Sequence, residues 1–471
     1  MSGFSALRVA SHALSAQQRA LEVTAQNVAN SATVGYTRQR ADLQSLSASS
    51  ISGLYATSSG VGEGVTADKV TRIRDAFLER RGQLEHGISA QAAALDTTWS
   101  QAELSFNEPG TTGLSSTLSS SWAKWGQLAS TPTEPAARTA VIAASGSVVN
   151  SLTSTAKALD AQWNSTRVDV ADSLTVVNSA TTQIAELNRS IMAATANGLD
   201  SNELQDKRDV LIGTLADTIG ATGIPKEDGS VDVVVGGATL VSGKNASTVS
   251  FTGPAASPGG ATGTVALWAT PGGQISAGGQ MGGQVTALNS VLPGLRTELD
   301  TVAASIASSV NALQVAGGDK NGNPGTPLFG TTDGSTTVTA ANIALAFTDG
   351  NLLAASKVTG LDAQGKAAAD GGNADKIAQL AQSTTGPDAT YRSMITRMGV
   401  SAAAATATAA SSEAIVTQID ASRQSISGVS LDEEMTNMLT FKQSYAAMGR
   451  VISAMDEMLD VLINKTGLVG R

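Results

Sequence analysis

Two apolar seams of unequal strength, one near each end, constrain this 471-residue chain more than anything between them. Near the start, Leu7, Leu14, Leu21 and Val28 recur every seventh residue, while the positions between them are Ala10, Gln17 and Thr24. Near the end, Phe441, Tyr445, Met448, Ile452, Met455, Leu459 and Leu462 alternate steps of four and three, the spacing of a coiled-coil stripe. The first stripe is too thin to hold a helix by itself, and an isolated helix is marginal in water. A strong seam and a weak one predict helices that pair with each other or with neighbouring copies. The expected assembly interface is therefore Leu7, Leu14, Leu21 and Val28 with Tyr445, Met448, Ile452, Met455, Leu459 and Leu462.

Composition points the same way. Aromatic residues make up only 3% of the chain and cysteine is absent, so there is no disulfide framework, thiolate nucleophile or cysteine metal site. Small side chains bury little apolar area each, which suits long thin helical layers better than a compact core. A net charge of −10 argues against nucleic acid or an anionic membrane as partner. The first thirty residues carry no continuous apolar run of the kind found in a secretory signal, and no stretch reaches the ~18 apolar residues of a membrane span.

Between the ends, sevenfold spacing dominates. Val149, Ala156, Trp163, Val170, Val177, Ile184 and Ile191, with Leu152, Leu159, Thr166, Ser173, Ala180 and Leu187, predict one long helix. Pro135 suits its first turn and Asn197-Gly198 its end. Further seams run from Ile88 to Phe106, from Val285 to Leu313 with either a kink or a delayed start expected at Pro293-Gly294, and from Tyr391 to Ile426. From about Ile219 to Gly283 the period changes. Val231–Val235, a Gly236-Gly237 turn and Ala238–Val241 predict a β-hairpin, and Thr264–Trp268 a further strand. The expected fold is mainly α: a discontinuous, elongated helical bundle with terminal coiled-coil helices and a small inserted β subdomain. Its expected divisions are 1–70 with 427–471, then 71–218 with 284–426, and the insert at 219–283.

Nothing here supports catalysis. The two histidines, His12 and His86, lie far apart, which removes zinc sites and Ser-His-Asp arrangements. Gly243-Lys244-Asn245 lacks the spacing and hydroxyl of a phosphate loop. Asp319–Asn323 is followed by Pro324 where a calcium loop needs glycine. Asp432, Glu433 and Glu434 are contiguous, so one helix cannot aim them at a shared substrate. The expectation is no enzyme, no cofactor and no metal.

Two short segments flank the seams. Asn27-Val28-Ala29-Asn30 precedes Gly35-Tyr36-Thr37-Arg38-Gln39, and Gly428-Val429-Ser430-Leu431-Asp432-Glu433-Glu434 lies near the other end. Local physics reads them plainly: a helix ends near Asn30, Gly35 turns the chain, and residues 36–40 leave extended. Ser430 is a candidate N-cap, with acidic residues in the helix first turn. Together the segments also resemble the N- and C-terminal signatures of the flagellar rod, hook and hook-associated axial proteins. Glu134–Arg138 and Leu204–Asp209 extend the likeness, which is closest to the members joining hook to filament. The signature residues are Asn27, Asn30, Gly35, Tyr36, Thr37, Arg38, Gly428, Leu431, Asp432, Glu433 and Glu434.

The resemblance implies export without a cleaved signal and incorporation into the extracellular flagellum. It implies as partners further copies of the chain, the hook protein, a second junction protein (hook-associated protein 3) and an export chaperone, with no nucleic acid and no membrane insertion. The thin N-terminal stripe further predicts termini that are disordered in the free monomer and fold on incorporation. A hook or rod protein is the nearest alternative, and a secreted helical adhesin or translocator a more distant one.

Overall fold

The fold is taken from a computed structural model that describes residues 3–47, 62–259, 264–461 and 463. The chain opens with helix α1 (Gly3–Ala29) and a hairpin of strands β1 (Gln39–Leu46) and β2 (Gly64–Arg72). Helices α2 (Ala76–Phe106), α3 (Leu114–Ser130), α4 (Pro135–Ala196) and α5 (Asn202–Ile219) follow. Next come seven short strands, β3 (Thr222–Pro225), β4 (Val231–Val235), β5 (Ala238–Ser242), β6 (Asn245–Ala246), β7 (Thr248–Thr252), β8 (Ala266–Thr270) and β9 (Gly273–Ile275). Helices α6 (Gly279–Thr286) and α7 (Leu292–Ala316), strands β10 (Phe329–Thr331) and β11 (Ile343–Leu345), and helices α8 (Gly372–Ala378), α9 (Pro387–Ser427) and α10 (Leu431–Asp460) complete it. No described helix is long and apolar enough to cross a membrane.

The 62-residue α4 is the spine, about 90 Å long at 1.5 Å per residue. Its ends are where the sequence places them: Pro135 occupies the first turn, and Asn197 closes the helix ahead of Gly198 at φ +70°. Ala156, Trp163, Val170, Val177, Ile184 and Ile191 are all buried, so the sevenfold register holds over most of its length. Trp163 brings a polar N–H into this core and satisfies it by donating to the Leu288 carbonyl at 2.9 Å. That carbonyl lies in a π-helical turn, Ala287–Val291, immediately before Pro293. Of the two outcomes expected at the proline, the delayed start is the one seen: a wider turn joins α6 to α7, and α7 begins at Leu292 with Pro293 in its first turn.

The strands between α5 and α6 form two antiparallel sheets, β3-β4-β5-β6 and β7-β8-β9. The β4–β5 turn has Gly236 at φ +49° and Gly237 at φ +86°, the pair of positive values that a two-residue primed turn demands. Both sheets are fastened to α4 by amide side chains. Asn188 donates to the Val231 carbonyl at 2.8 Å and accepts from the Val231 N–H at 3.1 Å. Asn178 does the same to Val249, at 2.9 and 2.8 Å. The strand expected at Thr264–Trp268 lies two residues later, at Ala266–Thr270.

The extended path expected at residues 36–40 leads into the β1–β2 hairpin, which packs on α1 and which the sequence pattern does not anticipate. His86 lies inside α2, which begins ten residues earlier and is capped by the Asp75 carboxylate.

Candidate functional site where the two termini meet

Helix α1 runs antiparallel to α10, so the last turn of one meets the first turn of the other. Asn27, 1% exposed, stands at that meeting point. Its amide nitrogen donates to the Gln39 carbonyl at 2.9 Å and to Glu434 Oε2 at 3.1 Å. Its oxygen accepts from the Gln39 N–H at 3.0 Å and from the Tyr36 hydroxyl at 2.8 Å. Two donors and two lone pairs are all that an asparagine side chain offers, and all four are used.

Glu434 is buried to 2% in the first turn of α10. Its second oxygen accepts from Arg38 Nε at 2.7 Å, while Arg38 NH1 reaches Glu433 at 2.6 Å. The buried carboxylate is therefore paired and hydrogen-bonded, the condition under which burial of a charge is tolerable. The helix start adds to this: Ser430 caps it by accepting from the Glu433 N–H, and the dipole favours acidic residues there. Arg38 also donates its backbone N–H to the Ser427 carbonyl at the end of α9, at 3.0 Å.

The turn that delivers Tyr36 and Arg38 depends on Gly35. It sits at φ +79°, and a Cβ there would lie 2.2 Å from Val210 Cγ2 of α5. Beyond it, the Thr37 N–H donates to Asp206 at 3.3 Å. Tyr36 is pushed up to about 12, first by burial and then by the carboxylates of Asp206, Glu434 and Glu203, so it remains a hydrogen-bond donor. Asn30 closes α1 by donating to the Gln26 carbonyl at 3.0 Å. Gly428 follows α9 where a Cβ would meet the Gln424 carbonyl at 2.4 Å. Leu431 and Asp432 stay exposed, outside the network.

The seam residues are placed less deeply. Leu7, Leu14, Leu21 and Val28 are half-buried, and the face of α1 that is buried consists of Ala10, Ala13, Ala16, Ala20, Val23, Thr24 and Asn27. On α10, Met448, Ile452, Met455 and Leu459 are half-buried and Tyr445 is exposed, while Leu462 lies outside the described residues. Among the described residues of α10, Glu434 alone is buried.

The two internal motifs act as braces. Asp206 and Asp209 of α5 both accept from Arg72 at 2.8 Å, and Asp209 also takes Arg74. Arg138 donates to the Pro132, Gly350 and Leu353 carbonyls and ties the start of α4 to a distant loop. Arg72 and Arg74 carried no signal in the sequence, because their partners lie more than 130 residues away. Among the described residues, no three His, Cys, Asp or Glu side chains are grouped to hold a metal ion.

The two segments that meet at Asn27 and Glu434 are also the ones that known families share. Residues 7–37 match the flagella basal body rod protein family and residues 421–465 the C-terminal family of flagellar basal body rod FlgEFG proteins. Residues 99–329 match the flagellar hook-associated protein FlgK helical domain. Flagellar hook-associated protein 1 of Bacillus subtilis is 31% identical over 528 aligned positions that span all of both chains. The chain belongs to the flagellar hook-associated protein 1 family. The Escherichia coli member is 26% identical over 96% of this chain and 98% of its own. The solved structure of the flagellar hook junction protein FlgK from Burkholderia pseudomallei shares the fold at a TM-score of 0.61 and 17% identity. It covers 73% of this chain and 100% of its own. As a family member the chain is a structural component of the bacterial flagellum with a role at the junction of hook and filament, associated with its axial parts.

Proposed function

We propose that the chain is a structural adaptor with no enzymatic role, laid down in multiple copies on the distal end of the hook. The hook protein lies on one side of it and the second junction protein, hook-associated protein 3, on the other. The observation that carries this reading is the paired terminus. Asn27, Arg38 and Glu434 lock α1 and α10 together at one end, while Leu431, Met435, Leu439, Val451, Met458 and Val461 stay exposed along α10. Exposed apolar side chains on a helix already paired on one side call for further helices, and neighbouring copies supply them. In this reading residues 1–70 and 427–471 line the axis, 71–218 and 284–426 form the next layer, and the insert at 219–283 lies outermost. Export proceeds without a cleaved signal, with a dedicated chaperone holding the unfolded termini.

A hook or rod protein would share both terminal segments, but the match over 99–329 is to the hook-associated helical domain. The test is to add purified, labelled chain to isolated hooks and image them. Label confined to one end of each hook supports the adaptor. Label along the hook length, or none, contradicts it.

A further inference from the structure

Helix α10 carries, in 30 residues, five of the ten methionines of the chain: Met435, Met438, Met448, Met455 and Met458. Methionine serves differently elsewhere. Met281 of α6 and Met394 and Met398 of α9 are core residues, 0%, 1% and 5% exposed. On α10, by contrast, Met435 is 53% and Met458 55% exposed, and the other three are half-buried. Cysteine is absent, so no thiol competes with these exposed thioethers for a mild oxidant.

Both exposed sulfurs sit within apolar stripes of the helix. Met435 lies four residues after Leu431 and four before Leu439, which places the three on one face, and all are exposed. Met458 shares a face with Val451 and Val461, seven residues before it and three after, and these are exposed too. A peroxide changes the chemistry of such a stripe. The thioether sulfur attacks one peroxide oxygen, the O–O bond breaks, an S–O bond forms and water leaves. Sulfur loses two electrons and the peroxide gains them. The resulting sulfoxide is strongly polar and carries an acceptor oxygen. Between helices packed through apolar side chains that oxygen meets no donor, so its burial opposes association.

We infer that Met435 and Met458 form a reversible oxidation site, and that their conversion to sulfoxide by a peroxide stops the free chain from packing α10 against neighbouring copies. The inference rests on the reading of α10 as a contact surface between copies. Reduction of the sulfoxides restores the thioethers and with them the apolar stripes. The core methionines stay out of reach, so the body keeps its fold while the contact surface is switched.

The test is to treat the full chain with hydrogen peroxide at neutral pH, remove the peroxide and quantify sulfoxide at each methionine by peptide mass spectrometry. Attachment to isolated hooks and self-association by sedimentation are then measured beside untreated chain. Met435 and Met458 should oxidise about tenfold faster than Met281 and Met394. Attachment and self-association should fall about tenfold at an unchanged melting temperature, and methionine sulfoxide reductases acting on both epimers should restore them. Met435→Leu combined with Met458→Leu is compared with its own untreated control, and treatment should cost it only a small fraction of what the parent loses. Oxidation of Met394 as fast as that of Met435 and Met458, undiminished association of the oxidised parent, or an equal loss in the double variant overturns the inference alone. Untreated chain that neither attaches to hooks nor self-associates overturns the adaptor reading, and this inference with it.

Discussion

Asn27 and Gly35 show how little tolerance the junction of the termini has. Asn27→Ala would strip partners from a buried strand N–H and carbonyl of Gln39, from Tyr36 and from Glu434. Such orphaned groups cost about 1–3 kcal/mol. Faster hydrogen exchange of the β1–β2 amides and a lower urea midpoint should follow. Gly35→Ala combines strain at φ +79° with a clash on Val210, for a loss of about 1–3 kcal/mol from the backbone conformation alone. Adding Val210→Ala should recover the clash but leave the backbone strain, so the double variant should melt between Gly35→Ala and the parent. Full recovery would mean that the positive φ costs nothing. Asn27, Tyr36, Arg38, Glu433 and Glu434 stand out as two short segments, but nothing in either names the other as its partner. That pairing spans about 400 positions, and local spacing carries no trace of it.

At the scale of elements, legibility followed periodicity. Helix α4 was readable from Pro135 to Asn197 because its apolar residues hold one register throughout. The β1–β2 hairpin was not, because β1 is polar and buries only Gln39, while β2 buries only Ala67 and Val70, too few to mark an alternating strand. In α1, leucines mark the heptad, but the buried face uses alanines, which let α10 and the hairpin approach closely while burying little area. That accounts for a weak pair in one copy. In the free chain, hydrogen exchange should be fast from Leu7 to Leu21 and much slower along α4, and protection of α1 equal to that of α4 would contradict this.

Helix α2 has a polar clasp of its own. His86 bridges Asp217 of α5 at 3.1 Å and Asp420 of α9 at 3.1 Å. The Asp217 hydrogen bond first, opposed by burial and aided by Asp420, raises His86 from 6.5 to about 9. A raised histidine stabilises the fold fully below its unfolded value of 6.5 and loses that contribution as pH climbs through about 9. The stability gap between the parent and His86→Gln should therefore be widest near pH 6 and close by pH 10. A gap that does not change with pH would mean the clasp is not ionic.

Across the whole molecule, polar contacts tie the terminal helix pair and its hairpin to the rest of the chain, with Arg19 on Asp200, Gln26 on Glu203 and Asn202 on Gln39 and Val70 among them. Arg72 and Arg74 meet Asp206 and Asp209, Arg38 meets the end of α9, and Thr37 meets Asp206. With apolar side chains exposed along α10, we propose that the helix pair finishes folding against its neighbours. The central claim is that this finishing happens where filament meets hook. The measurement that tests it most directly is electron microscopy of cells lacking the gene, with flagellin assayed in the medium. Bare hooks with flagellin lost to the medium are the expected result, and either missing hooks or intact filaments would contradict it.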